Sequence, residues 1–381
     1  MKKYNDDTQF LDILRALATV SVITLHVGGG TSVRQDVITR GIFTAINVWC
    51  VPVFLMITGA LFLCVKEELD LNKHLKRTFH LLALALLWNY IYTVLSLIII
   101  NRSINGGAVL LDSAKMVINA DFTYGYHLWY LYAVIGIYLM LPILRKWFTR
   151  STQNEHTIYL LIFCLFSLAL PSFVRIAKEL KIAEIGEIWD NNFHYFSGLI
   201  VYVLLGAYLY KYKATINEKI VITIGAIIIA LYMILGFINI ETLNRIIRYD
   251  SCSSAVLAVV VFEGIREWSR THTISKFLCL IADHSLSIYF VHVIVIQVLR
   301  KVFHLSSESG PLIITLPIIT GLTLVISLGI VTVQNPYLVF AERMISIHKK
   351  PINMGNLLSP KSISGKIDAG FFDSGRQLSC I

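Results

Sequence analysis

Charged residues are scarce in this sequence. Asp, Glu, Lys and Arg make up 15% of its 381 residues, whereas a typical soluble domain has roughly 25%. Hydrophobic residues make up 56% and are gathered into long blocks. This scarcity of charge argues against a water-soluble globule and favours a chain embedded in a lipid bilayer.

Patterns that bind metals, form disulfides or cradle nucleotides are also missing. The six cysteines are scattered, without a CxxC pair or the Cys/His spacing typical of zinc. The sequence contains no GxGxxG and no Walker-type loop. It therefore predicts no disulfide framework, no metal site and no permanently bound cofactor.

Ten apolar blocks have the length, or nearly the length, of a membrane span. A hydrocarbon core of about 30 Å needs about 20 residues at a rise of about 1.5 Å each. The sixth and eighth blocks are short. We therefore predict an all-α integral membrane protein of about ten transmembrane helices, in blocks 9–30, 41–64, 79–100, 127–145, 157–174, 194–210, 220–239, 251–265, 283–303 and 312–333.

The distribution of Lys and Arg predicts the topology. With the N-terminus inside, the inside segments hold about twice as many Lys and Arg residues as the outside segments. This asymmetry places both termini in the cytoplasm and explains part of the net charge of +9 without nucleic acid as a partner. We expect a membrane domain over 1–345 and a flexible cytoplasmic tail over 346–381, where Ser, Gly and Lys become frequent.

The first apolar block carries a polar stripe. At about 100° per residue, Asp12, Arg15, Thr19 and His26 fall within an arc of roughly 60° on one helix face. Arg15 near the inner end can snorkel to the cytoplasm and pair with Asp12. His26 lies deeper, where an ionisable side chain usually faces a protein interior or an aqueous cavity and is functional.

A second stripe appears in the ninth block, in the stretch HSLSIYFVH. Ser285, Tyr289 and His292 also share an arc of roughly 60°. His127 and Trp129 open the fourth block at its predicted outer end; an aromatic belt explains the tryptophan, but the histidine is less easily dismissed. Two intramembrane histidines on separate helices suit either general-base catalysis or a proton pathway.

Five motifs, in order, resemble those of the acyltransferase-3 family of bacterial membrane acyltransferases. They are DxLRxxA with a histidine eleven residues after the arginine, VPVFLMITG, HLWYLYAVIGIYLMLP, FSGLIVYVLLGAYLY and HSLSIYFVH, and they span about 9–335. Within the family the chain is most similar to stand-alone acetyltransferases of the enterobacterial common antigen type. In this family the third helix usually begins with RxxR. The present sequence departs from that pattern, with Arg77 at the position of the first arginine and His80 at the position of the second.

The resemblance implies an O-acetyltransferase of the bacterial inner membrane. It would move an acetyl group from acetyl-CoA to a hydroxyl of a cell-surface glycan or its lipid-linked precursor. His26 matches the essential histidine of the family's first helix, and Arg15 matches its arginine partner.

The residues themselves suggest how these groups would act. We expect His26 to be the general base, with an acyl-histidine route less favoured. Arg15 would anchor a donor phosphate or polarise the thioester carbonyl, and Asp12 would hold Arg15. Two groups are weaker candidates: Lys73, Lys76 and Arg77 for the CoA phosphates, and His127, Trp129, Ser285, Tyr289 and His292 for the acceptor.

A proton-coupled transporter or flippase of a glycan or small solute is the alternative function. Two histidine-bearing stripes in a ten-span protein would serve it equally well. Such transporters often contain matching pairs of helices interrupted by Gly or Pro, and no such pairing is visible here. Turnover of acetyl-CoA would distinguish the two functions, since a transporter should show none.

Overall fold

A computed structural model of the chain describes residues 8–28, 34–64, 69–101, 106–119, 121, 123–181, 198–213, 217–306 and 309–333. Every regular element in these ranges is helical, as predicted. The helices are α1 (Gln9–Gly28), α2 (Arg34–Asn47), α3 (Cys50–Leu63), α4 (Leu71–Asn101), α5 (Gly106–Ile118), α6 (Trp129–Arg150), α7 (Gln153–Cys164), α8 (Leu170–Glu179), α9 (Ile200–Tyr212), α10 (Glu218–Ile238), α11 (Ile240–Ile246), α12 (Cys252–Trp268), α13 (Lys276–Asp283), α14 (Ser285–Lys301) and α15 (Leu312–Val333).

Eight of the ten predicted blocks coincide with helices that have the length and composition of a membrane span. Seven of these, in the described part of the chain, are single spans, and an eighth is the bent pair of α13 and α14. The sixth and eighth blocks are also helical, but α9 has 13 residues and α12 has 17. The protein is therefore a multi-pass helical membrane protein, while ten spans and cytoplasmic termini stay predictions.

Helix α1 lies at the centre of the bundle. It packs against α2, α3, α12, α13, α14 and α15. Of its span, 56% is buried inside the protein, compared with 22% for the span Lys219–Ile238. Lipid-facing helices can be apolar all round, whereas a central helix can carry polar groups because neighbouring helices surround them. The position of α1 thus makes its polar stripe tolerable.

Helices α3 and α9 approach each other closely at two glycines. A Cβ atom added at Gly59 would lie 1.8 Å from the Val203 carbonyl oxygen, and one at Gly206 would lie 2.1 Å from the Met56 carbonyl oxygen. Both glycines are therefore required for the close packing of these two helices. Small residues allow such contact between backbones in membrane bundles.

Two spans are less regular than the hydrophobic blocks suggested. The predicted block 283–303 begins with an 81° bend between α13 and α14, so α14 starts at Ser285. Within the predicted block 157–174, a π-helical turn over Leu165–Ala169 links α7 to α8. Pro171 lies two residues after this turn, and its missing N–H explains why the regular hydrogen-bond ladder is interrupted there.

Two further helices were not anticipated from the sequence. Helix α5 has 13 residues and α11 has 7, and both lie between predicted spans. Their lengths are below that of a membrane span, which is why a search for long apolar blocks passed over them. The predicted tail 346–381 lies outside the described residues.

Candidate active site

Three histidines from separate parts of the chain meet at one end of α1. The ring centroid of His26 lies 5.1 Å from that of His292 and 5.9 Å from that of His127, and the last two are 5.6 Å apart. His26 belongs to α1 and His292 to α14, while His127 lies in the short 3-10 turn Tyr126–Leu128 before α6. We call this group the histidine cluster. The fold thus brings together the histidines of both predicted stripes.

The tautomer of His292 is set by its own helix. Its Nδ1 lies 2.8 Å from the Tyr289 carbonyl oxygen and 3.2 Å from that of Ile288. Carbonyl oxygens only accept, so Nδ1 carries the proton and Nε2 of the neutral ring offers a lone pair. The side chain is fully buried, and Nε2 has no hydrogen-bond partner in the part of the chain that the structure describes.

His127 is 1% exposed, and neither of its ring nitrogens has a hydrogen-bond partner among the described residues. Its backbone is held firmly, because the Tyr289 hydroxyl donates to the His127 carbonyl oxygen at 2.6 Å. The Tyr92 ring packs edge-on against the imidazole at 4.6 Å, and its hydroxyl donates to the Phe290 carbonyl oxygen at 2.8 Å. Buried polar groups are normally hydrogen-bonded. The unpartnered ring nitrogens of His127 and His292 can therefore bind polar atoms of a ligand.

His26 is partly buried and borders a cavity of about 270 Å³, the large cavity. Its Nδ1 lies 3.3 Å from the hydroxyl of Tyr126, a residue that is 50% exposed. When Nδ1 donates to this hydroxyl, Nε2 is the basic nitrogen. The lining comprises His26, Val27, Tyr126, Val293, Ile296, Gln297, Arg300, Leu305, Ser306 and Ile319.

The two stripes face each other across a second, small cavity. Its volume is about 20 Å³, enough for roughly one water molecule. Thr19 of α1 lines it opposite Ser285, Tyr289 and His292 of α14. The polar faces predicted separately on the two helices therefore meet at this cavity, and the rest of its lining is apolar: Val22, Ile23, Phe54 and Ile288.

Arg15 and Asp12 lie further down the same face of α1. Arg15 Nη1 is 3.0 Å from Asp12 Oδ1, and each side chain is 27% exposed. The hydroxyl of Tyr138 on α6 lies within electrostatic range of both Arg15 and Arg77. His74 fixes this part of α6 by donating from Nε2 to the Tyr138 carbonyl oxygen at 2.7 Å. Arg15 and Asp12 thus lie towards the end of α1 opposite the histidine cluster.

The other basic candidates are more exposed. Lys73 pairs with Asp70 at 3.3 Å, and Lys76 is exposed on the same turn of α4. The Lys73 backbone amide and ammonium hold the pKa of the Asp70 carboxyl below its ordinary value. His80, at the departing RxxR position, is partly buried, and its Nε2 is buried without a partner among the described residues.

Several contacts of the site were not found from the sequence. Tyr126 was overlooked beside His127, and Tyr92 lies in an apolar block with no polar periodicity. Gln297 and Arg300 lie further along α14, near its end, and Arg300 was counted only as an outside charge. Trp129, a predicted acceptor residue, is 38% exposed and packs against Tyr249 at 5.4 Å, away from the lining of both cavities.

The fold and the site together define a class of protein. It is a multi-pass helical membrane protein in which imidazole side chains border two cavities. The family model of acyltransferase-3, described as an acyltransferase domain, matches residues 8–332, and the chain belongs to this family. It is a membrane acyltransferase, as the resemblance implied. No curated protein and no solved structure matched the chain. Within the described ranges, no group of three His, Cys, Asp or Glu side chains is arranged to hold a metal ion.

Proposed function

We propose that the protein is an O-acetyltransferase that moves an acetyl group from acetyl-CoA to a hydroxyl of a cell-surface glycan or its lipid-linked precursor. The observation that carries this proposal is the position of His26, which lines the large cavity and lies on the same face of α1 as Thr19 and Arg15. An acceptor and a donor can then approach one imidazole from opposite sides. An acceptor related to enterobacterial common antigen, and a place in the bacterial inner membrane with both termini cytoplasmic, belong to the same proposal.

His26 acts as the general base of this reaction. Its Nε2 takes the proton from the acceptor hydroxyl while that oxygen attacks the thioester carbonyl carbon of acetyl-CoA. The carbon–sulfur bond then breaks, and the imidazolium returns the proton to the CoA thiolate. In this role Nδ1 donates to the Tyr126 hydroxyl, which lies 3.3 Å away, and Nε2 is left as the base. A positioned base of this kind contributes about 10²–10⁴-fold.

Arg15 binds the donor on the opposite side. Eleven residues separate it from His26, which is about 16 Å along a helix axis. Arg15 and Arg77 each lie within electrostatic range of Tyr138. Both suit the CoA phosphates, because a guanidinium pairs with phosphate through two parallel hydrogen bonds. Asp12 holds the Arg15 guanidinium in place. Lys73 and Lys76 add positive charge at the exposed end of α4.

The acceptor lies against the histidine cluster. His127 and His292 have buried nitrogens that can bind sugar hydroxyls. Ser285 and Tyr289 position these groups from below, since Ser285 lines the small cavity and Tyr289 fixes the His127 backbone. Trp129 stands at the predicted membrane interface, where an indole can contact the remainder of a glycan.

Transfer of labelled acetyl groups tests the proposal. The purified protein would be reconstituted in liposomes with radiolabelled acetyl-CoA and a lipid-linked glycan extract. We expect the wild type to label glycan and His26→Ala to lose about 10²–10⁴-fold of the rate. His272→Ala is the matched control, because His272 is exposed and stacks on Trp268 away from both cavities. Transfer that survives His26→Ala in folded protein refutes the base, and no transfer by the wild type favours a transporter.

A further inference from the structure

Arg300 is the one Lys or Arg side chain among the described residues that line the large cavity. Val293, Gln297 and Arg300 follow each other at i, i+4 and i+7 on α14, so they share one face of the helix. The Arg300 side chain is exposed at the cavity and forms no salt bridge with any described acidic residue. Its guanidinium therefore has its full hydrogen-bonding capacity available to a ligand.

The end of α14 does not by itself require Arg300. Basic side chains in a last helical turn stabilise the exposed carbonyl groups. Lys301 lies in the same turn, is equally exposed, and is absent from the cavity lining. Lys301 can therefore supply the positive charge that stabilises this helix end. Among the described lining residues, the positive charge of the cavity comes from Arg300 alone.

The remaining described lining brings no negative charge to the cavity. No described residue that lines it is acidic, and Val27, Val293, Ile296 and Ile319 form apolar walls. Charge at a cleft with low-dielectric walls acts more strongly on a ligand than the same charge on an open surface. The volume of about 270 Å³ lies near the lower end of small-ligand pockets, at about 300 Å³. It suits a single sugar-sized group.

We infer that the large cavity binds an anionic acceptor, with Arg300 and Gln297 holding a carboxylate or phosphate group while a sugar hydroxyl lies at His26. This inference rests on the proposed function for the identity of the reacting hydroxyl, and it adds the chemical class of the acceptor. A guanidinium matches the geometry of both anions through two parallel hydrogen bonds. The Gln297 amide supplies one further donor and one acceptor to the same group.

Two sources can provide this anion, namely the carboxylate of an acidic sugar and the phosphate of a sugar phosphate or lipid carrier. Binding of three probes to the purified protein in nanodiscs separates them. The probes are methyl glucuronide, glucose 1-phosphate and the neutral methyl glucoside, each radiolabelled and measured by equilibrium dialysis without acetyl-CoA. The anionic probe that binds more tightly identifies the source.

We expect the wild type to bind an anionic probe at least about tenfold more tightly than the neutral one. Arg300→Gln should abolish this preference, and Arg300→Lys should retain part of it, since lysine keeps the charge without the planar fork. Lys301→Gln is the matched control and should retain the full preference. Thermal unfolding of each variant verifies that the fold is intact.

The inference is overturned if the wild type binds the three probes equally or binds neither anion. It is also overturned if Arg300→Gln and Lys301→Gln reduce anion binding by the same factor. Because binding is measured without a donor, the result does not depend on acetyl transfer. A wild type that binds anions through Arg300 but transfers no acetyl group would refute the proposed function and leave the anion site standing.

Discussion

The two ends of the polar face on α1 are built differently. At one end the histidine cluster is held by several contacts, and His127 and His292 are nearly or completely buried. At the other end the Arg15 side chain is 27% exposed. The Lys73 side chain, on α4, is 74% exposed. Buried groups with fixed geometry act on particular atoms, whereas exposed charges act over distance and are screened by salt. Substitutions at the histidine cluster should therefore change kcat, and those at the basic end should change KM for the donor.

After His26, replacing His292 should produce the largest effect. His292→Asn keeps a donor near the Tyr289 carbonyl but removes the Nε2 lone pair, while His292→Gln keeps a polar atom near the Nε2 position. We expect His292→Asn to lower kcat by about 10- to 100-fold with little change in KM for acetyl-CoA. His292→Gln should recover part of the rate. Steady-state kinetics in liposomes would measure both, and equal kcat values for the Asn variant and the wild type would refute a role for Nε2.

Arg15 should show the opposite kinetic pattern. Arg15→Gln should raise KM for acetyl-CoA by about tenfold, because a charge-assisted contact with the donor is lost. Asp12→Asn should raise it by less than about fivefold, since the partly exposed ion pair contributes only about 0.2–1 kcal/mol. Both values come from donor titrations at saturating acceptor. If Arg15→Gln lowers kcat and leaves KM for acetyl-CoA unchanged, the prediction that Arg15 binds the donor is wrong.

Removing the exposed lysines should have the smallest effect. The double variant Lys73→Gln and Lys76→Gln should change KM for acetyl-CoA by less than about twofold in 0.15 M salt, and by more at low salt. Lys115→Gln, which breaks an exposed pair with Asp112 on α5, is the control and should leave the salt dependence unchanged. A large effect at high salt would mean that these lysines contact the donor directly.

The sequence was sufficient for the helical fold because long apolar runs must bury their backbone polar groups in helices. It also identified His26 and His292, since ionisable residues are conspicuous within such runs. It did not give the distance between them, which depends on how α1 and α14 pack. Tyr126 and Arg300 were missed because Tyr and Arg are common at the ends of membrane spans. Their place in the lining of the large cavity, which the sequence does not show, distinguishes them from neighbouring residues.

The close contact between α3 and α9 has a consequence for suppressor genetics. An alanine at Gly59 meets the backbone carbonyl of Val203, so no single side-chain change elsewhere can relieve the clash. An alanine at Gly225 meets only the Val260 side chain, at 2.7 Å. We therefore expect Val260→Ala to restore the thermal stability of Gly225→Ala, whereas a search for second-site revertants of Gly59→Ala should return only the original glycine.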